Sequence, residues 1–271
     1  MSSDSSHADS SHAGSELPAI DDRLVVPETR YEMFDGELVY VSPADPPHGE
    51  RHLQLAALIE AHTGPAFEAA ADLLTRTSKK DDIAPDISIY PDAPDPLSGG
   101  RQLEHLAFEI VSTGSLGHAA RKAAKLSVRG VRRVFAIDVE RSRALEWSAE
   151  LGTWSLLDAA GRIEDAALEV PLPVEAMIHA AKADDAIARA LLAKGNPVFV
   201  QKLAEGRAEG VAEGRAEGLA EAVIMVLTAR DLALDEAIRQ RILDEHDAPR
   251  LERWIVRAMS CATVAELFTE R

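Results

Sequence analysis

The chain has 271 residues, of which 46% are hydrophobic and 28% charged, enough for one domain of about 150 to 200 residues plus a smaller attachment. No apolar run approaches the roughly 20 residues of a membrane span, and the N-terminus lacks the apolar segment of a secretory signal. Cys261 is the single cysteine, which excludes an intrachain disulfide and predicts a cytoplasmic protein.

The net charge of -17 disfavours loose binding to nucleic acid, because phosphate contacts need Lys or Arg. The segment from Arg121 to Arg143 is an exception, because its eight basic residues are opposed only by Asp138 and Glu140. It predicts either a nucleic-acid surface or a solvated helix face and strand end. The eight are Arg121, Lys122, Lys125, Arg129, Arg132, Arg133, Arg141 and Arg143.

The chain begins with a polar segment and then a hairpin. Residues 1–20 are mostly Ser, Asp, His, Ala and Gly, so we predict a disordered tail. Residues 31–34 and 37–41 predict two strands around the turn signal Asp35-Gly36. A helix is predicted over 48–62, after a proline-rich loop at 42–47. Its expected buried face comprises Leu53, Ala56, Ala57 and Leu58.

The remainder of a domain spanning 21–182 predicts a mixed sheet with few helices. The helix 116–129 has N-cap choices at 112–115 and ends at Gly130. The order of elements is typical of an α/β fold. Strands are predicted over 70–77, 84–90, 103–111, 131–139, 143–148 and 153–157.

Residues 183–271 predict a helical C-terminal region. A Glu-Gly repeat of period four occupies about 203–221, and each glycine costs a helix about 1 kcal/mol relative to alanine. Small residues permit close backbone approach, so self-association in the manner of a coiled coil is one prediction. A semi-flexible helical spacer is the other. Further helical pieces are predicted over 184–194, 222–228, 234–245, 250–259 and 264–268.

Two carboxylates suit divalent metal chemistry. Asp86 lies at the start of one apolar strand, and Glu109 lies inside the next, where burial of its charge is costly unless a cation or hydrogen bonds compensate. Phosphodiester hydrolysis needs an activated water and stabilised phosphate charge, and a divalent cation supplies both. Mg²⁺ usually takes one or two carboxylates, and the Ile110 carbonyl would add an oxygen. A structural role for both acids is the alternative.

These residues carry a family resemblance. Pro85-Asp86, followed 23 positions after the Asp by Glu109, resembles the PD-(D/E)XK nuclease superfamily, and more specifically the Uma-type restriction endonucleases of bacteria. The similarity covers about 25–180 and implies a restriction-endonuclease-like mixed sheet flanked by helices. Its other pieces, in order, are Tyr31-Glu32, Asp35-Gly36-Glu37-Leu38, Ser42-Pro43, His48, Lys122, Gly130-Val131 and Ile137-Asp138.

The resemblance implies Asp86 and Glu109 as ligands of Mg²⁺ or Mn²⁺. The superfamily lysine position is Val111 here, so the resemblance implies a helix lysine instead, Lys122 with Lys125 as fallback. It adds Glu37 as a further acid and His48 as a substrate or water contact. The chain departs from the family at Arg132-Arg133-Val134-Phe135 and at His118, which replaces an acid.

The resemblance implies a Mg²⁺-dependent endonuclease acting on DNA. A catalytically inactive nuclease-fold module for binding or oligomerisation, its tail driving homo-oligomer formation, is the second hypothesis, favoured by the acidic charge. An enzyme acting on small phosphoesters fits the same acids and is the third.

Overall fold

The computed structural model describes residues 17–41, 45–112 and 116–269. The predictions for most of the tail, for Ser42-Pro43 and for the cap choices at 113–115 lie outside the described residues. The chain divides into two compact units, a first unit ending at Lys194 and a C-terminal unit beginning at Gly195. The predicted boundary at 182–183 therefore falls twelve residues before the end of the first unit.

The first unit is a mixed α/β structure, as predicted. Its helices are α1 (Pro46–His62), α2 (Leu116–Arg129), α3 (Val174–Ile178) and α4 (Ala180–Ala193). Its strands are β1 (Tyr31–Phe34), β2 (Glu37–Tyr40), β3 (Phe67–Ala71), β4 (Thr75–Arg76), β5 (Asp82–Ile83), β6 (Ile87–Pro91), β7 (Leu106–Val111), β8 (Arg133–Asp138), β9 (Arg143–Ser148), β10 (Thr153–Leu156), β11 (Arg162–Ile163) and β12 (Leu172–Pro173).

A six-stranded sheet in the order β10-β9-β8-β7-β6-β3 forms the centre of this unit. Strands β7 and β8 pair in parallel and the other neighbours are antiparallel. All six residues of β7 are buried, because helices cover both faces of the sheet. Phe108 and Ile110 pack with α1, whereas Ala107 and Val111 face the side of α2. This alternation puts Glu109 on the α2 face.

Helix α1 begins two residues before the predicted start. Asp45 caps it by accepting a 2.9 Å hydrogen bond from the His48 amide, and proline is tolerated in the first turn. The predicted buried face was wrong at Leu53, which is 75% exposed, and at Ala57, which is also exposed. The stripe facing the sheet is Leu55, Leu58, Ile59 and His62.

The predicted strand 70–77 was also wrong. It divides into β3 and β4, which belong to different sheets. Asp72 lies between them with a left-handed φ of 54°, which turns the chain out of the strand. By contrast the predicted hairpin is confirmed, since Asp35 (φ 51°) and Gly36 (φ 89°) form its turn between β1 and β2.

The C-terminal unit is helical, as predicted, but the repeat and the piece at 222–228 form one helix. This is α5 (Pro197–Ala229), followed by α6 (Glu236–Leu243), α7 (Ala248–Ala258) and a 3₁₀ turn at Val264–Phe268. Among the described residues, no helix combines the length and apolar character that crossing a membrane requires. The core of the unit contains Ala216, Ala220, Val223, Leu227, Ile242, Leu251 and Trp254.

Burial of His62 predicts a pH-dependent stability. Its Nδ1 lies 2.7 Å from the Leu58 carbonyl, and burial lowers the pKa of the ring below its usual value. Below about pH 6.5 the unfolded chain therefore binds a proton that the folded chain excludes, so stability falls as pH falls. We expect His62→Gln to flatten this decline between about pH 7.5 and 5.5 in urea unfolding. His246→Gln, at an exposed position, should retain the wild-type slope, and equal slopes in all three proteins would refute the prediction.

Candidate active site

Strands β6 and β7 bring two acids to the same end of the sheet. Ile87 pairs with Phe108 in this antiparallel ladder, so the next position places Asp86 opposite Glu109. Directly opposed residues have Cβ atoms about 5 Å apart. The two predicted carboxylates are therefore neighbours across two strands.

Asp86 is held by donors from β7 and α1. The Ile110 amide donates to Asp86 Oδ2 at 2.5 Å, and His48 Nε2 lies 3.6 Å from Asp86 Oδ1. Burial raises the pKa of this carboxyl, but His48, the charge of Lys122 and the Ile110 amide together hold it below its usual value. Asp86 in turn raises the pKa of His48. Asp86 is thus a carboxylate at neutral pH.

The Ile110 carbonyl also faces this side. The N–H and C=O of one strand residue point to the same neighbour, and the Ile110 N–H meets Asp86. The adjacent Val111 carbonyl points the other way and accepts from Val139 at 2.9 Å. Ile110 therefore presents a carbonyl oxygen beside Asp86, just past the end of β6.

Glu109 is the least ordinary acid of the site. It is 5% exposed, its Oε2 lies 2.9 Å from Lys122 Nζ, and its buried Oε1 has no hydrogen-bond partner. Burial raises the pKa of this carboxyl to about 8. A buried oxygen without a partner costs free energy unless something else binds it. A cation at Oε1 would supply that partner.

Lys122, on α2, contacts Glu109 and a third acid, Glu32. Its Nζ donates to the Ala84 carbonyl at 2.6 Å and lies 3.3 Å from Glu32 Oε1 as well as 2.9 Å from Glu109. Burial alone would lower the pKa of this lysine, but Glu109, Glu32 and Asp86 outweigh it and raise the pKa. Lys122 is therefore a fixed ammonium, suited to stabilising negative charge and unsuited to accepting a proton.

Comparisons with known proteins identify the family of this chain. Residues 17–179 match the model of the Uma2 family, described as putative restriction endonuclease. The chain belongs to the Uma2 family. A solved structure of a putative nuclease of DUF820 from Anabaena variabilis is similar at 14% identity and a TM-score of 0.47, covering 56% of this chain and 90% of that one. No curated protein matches the chain.

The Uma2 match confirms the family resemblance and a restriction-endonuclease-like fold. It includes Asp86, Glu109 and Lys122 and ends at residue 179, just past α3. The C-terminal unit, from Gly195 onward, lies outside it. The family match therefore gives no role to the C-terminal helices.

Two of the predicted site residues lie elsewhere in the Uma2 domain. Lys125 Nζ contacts Asp35 at 2.7 Å and Asp81 at 2.8 Å, so this lysine serves a different pair of acids. Glu37 begins β2 with an exposed side chain, opposite Phe34 in the hairpin. Of the two lysines, Lys122 is the one that contacts Glu109.

Two acids of the site were not predicted as functional. Glu32 is buried, and its Oε1 accepts from the Ala84 amide at 2.8 Å beside Lys122. The alternation of side chains in β1 indicated that Glu32 would be buried, because Glu32 shares a face with Phe34. Asp72 extends the row of acids: it follows β3 opposite Asp86, and its amide donates to the Asp86 carbonyl at 3.1 Å. No sequence pattern indicated it.

The basic segment is largely neutralised by acids of the same domain. Both lysines are paired as described above, and Arg129 donates to the Pro18 carbonyl. Arg121 Nη2 lies 3.2 Å from His118 Nδ1. These contacts favour the structural reading of the segment over a free phosphate-binding surface. The remaining pairs are Arg132 with Asp165, Arg133 with Glu146, and Arg141 and Arg143 with Asp138.

The donor set fits a hard divalent cation. Within residues 17–41, 45–112 and 116–269, no group of three or more His, Cys, Asp or Glu side chains is placed to hold a metal. Two carboxylates and one carbonyl are available from Asp86, Glu109 and Ile110. This all-oxygen set matches the preference of Mg²⁺, which binds one or two carboxylates and retains several waters.

Proposed function

We propose that this Uma2 protein is a Mg²⁺-dependent endonuclease that hydrolyses DNA phosphodiester bonds. Asp86, Glu109 and the Ile110 carbonyl would hold the cation. The observation that carries the proposal is the buried Glu109 Oε1 without a partner, on the strand position opposite Asp86. DNA is the substrate that the family description favours.

Each residue has a separate task in this proposal. When bound, Mg²⁺ or Mn²⁺ would lower the pKa of a water and neutralise phosphate charge. Asp86 is kept ionised by the Ile110 amide and His48. Lys122 is held by Glu109, Glu32 and the Ala84 carbonyl, and its positive charge would stabilise negative charge that develops on the phosphate.

His48 would serve at the substrate side of the site. Its side chain is 22% exposed, and Asp86 raises its pKa, which favours the doubly protonated ring. Such a ring donates from both nitrogens, one toward Asp86 and one toward a phosphate oxygen.

The ammonium of Lys122 is too strongly stabilised to accept a proton, so the general base would be another group, such as water or a substrate phosphate.

Nicking of supercoiled plasmid tests the proposal. We expect the full chain to nick DNA with Mg²⁺ or Mn²⁺ and to lose this activity in EDTA. Asp86→Ala, purified in parallel, controls for contaminating nucleases, and a small phosphodiester assayed alongside distinguishes DNA from small phosphoesters. Cleavage that persists equally in EDTA, or in Asp86→Ala, would reject the proposal.

An assembly module without catalysis is the second candidate. Helix α5 is exposed from Pro197 to Arg215, including Val198, Leu203 and Val211. A Cβ added at Gly206, Gly210, Gly214 or Gly218 would meet nothing outside the local helix backbone within 4 Å, so no contact in the described part of the chain requires these glycines. Close packing of a second copy of the chain against α5 would require glycines at these positions. Loss of a dimer on deleting residues 197–271, together with no metal-dependent cleavage, is the outcome expected of this module.

A further inference from the structure

The C-terminal unit contains a cleft of about 850 Å³ between α6, α7 and the segment around Phe268. Four arginines line it, in a chain whose net charge is -17. Three of them, Arg250, Arg253 and Arg257, are spaced three and four apart on α7 and so share one helix face. The fourth, Arg241, comes from α6.

The base of the cleft is aromatic. The Trp254 and Phe268 rings meet edge to face, with centroids 5.0 Å apart. The Arg241 guanidinium lies over the Phe268 ring, 4.0 Å from its centroid. Stacking of this kind fixes the plane of a guanidinium and leaves its N–H edges free to donate.

Among the described residues that line the cleft, the four arginines outnumber the two acids, Asp244 and Glu245. Glu245 already pairs with Arg250 at 3.0 Å. The Arg253 guanidinium lies 4.0 Å from the Asp247 carboxylate, too far for a hydrogen bond, and its side chain is 61% exposed. Within residues 17–41, 45–112 and 116–269, Arg241 forms no ion pair. Arg241 and Arg253 thus provide positive charge that lacks a close counter-ion there.

We propose that this cleft binds a phosphate group of a nucleic acid strand. Guanidinium groups bind phosphate oxygens through paired N–H donors, and the Phe268 ring holds the Arg241 guanidinium in place for such a contact. The cleft lies outside the Uma2 match, so it assigns a nucleic-acid contact to the C-terminal unit. The choice of nucleic acid among phosphate-bearing ligands rests on the proposed nuclease function.

Fluorescence anisotropy of a labelled oligonucleotide with the full chain in EDTA tests this proposal. Arg241→Gln and Arg253→Gln should each weaken binding about tenfold. Each should also reduce the slope of log affinity against log salt by about 0.7 to 0.9, the contribution of one phosphate contact. Arg239→Gln, an equal charge change at an exposed position of α6 outside the cleft, should change neither quantity.

Three outcomes would overturn the proposal. They are no oligonucleotide binding, equal weakening by Arg239→Gln and Arg241→Gln, and competition by inorganic phosphate as effective per molecule as by unlabelled oligonucleotide. The last would assign the cleft to free phosphate. Arginine-dependent oligonucleotide binding by a wild-type chain that shows no nicking would reject the nuclease and retain the cleft.

Discussion

Replacement of Lys122 with Met is expected to lower the free energy of unfolding of the first unit by about 3 to 5 kcal/mol. The substitution keeps an apolar stem of similar length but leaves Glu109 and Glu32 buried without their shared cation. Urea unfolding followed by fluorescence measures the change, since Trp147 and Trp154 both lie in this unit.

The loss of unfolding free energy in Lys122→Met should grow as pH rises. Burial raises the pKa of Glu109 above that of the unfolded chain, so the folded state retains a proton that the unfolded state releases. Stability from this group is present at low pH and is lost as pH rises from about 4.5 through about 8. Without Lys122 the folded pKa is higher still, so Lys122→Met should be less impaired at pH about 5 than at pH about 9.

Two variants control this prediction. Lys125→Met leaves the buried Asp81 with hydrogen bonds from the Asp35 amide and the Ser78 hydroxyl, so we expect a smaller loss of about 1 to 2 kcal/mol. Adding Glu109→Gln to Lys122→Met removes the acid whose ionisation is costly without Lys122, so it should recover part of the loss at pH about 9. Equal losses for the two lysine variants would contradict a special role for Lys122.

Asp86→Asn and Glu109→Gln should each reduce Mg²⁺-dependent DNA cleavage at least about a hundredfold. Both changes preserve size and remove a ligand charge, so the loss should fall on turnover while affinity for DNA in EDTA stays near wild type. Asp92→Asn, at an exposed position just past β6, is the matched control. Retention of cleavage within about threefold by either variant would show that the site lies elsewhere.

Much of the first unit was predictable because local signals agree with the fold. The Asp35-Gly36 turn fixes the β1–β2 hairpin, and α2 has the predicted limits because Gly130, at φ 120°, ends it. Burial of β7 on both faces explains its unbroken apolar character. That burial is also why a carboxylate at Glu109 stood out in the sequence.

Other features depend on contacts between distant residues. Asp72 lies beside Asp86 because β3 pairs with β6. The sequence pattern predicted a single strand over 70–77 and so gave no sign of the turn at Asp72. The pairing of Arg132 with Asp165 likewise spans 33 residues. Sequence spacing identified a basic segment, but acids contributed from other elements decide how much of its charge is free.

Binding of Mn²⁺ to the full chain without DNA, followed by electron paramagnetic resonance, tests most directly whether Asp86 and Glu109 share one cation. We predict one Mn²⁺ per chain, competed by Mg²⁺, with affinity at least about tenfold lower in Asp86→Asn and in Glu109→Gln. Asp92→Asn should bind as wild type. Equal Mn²⁺ affinity in all four proteins would contradict the metal site.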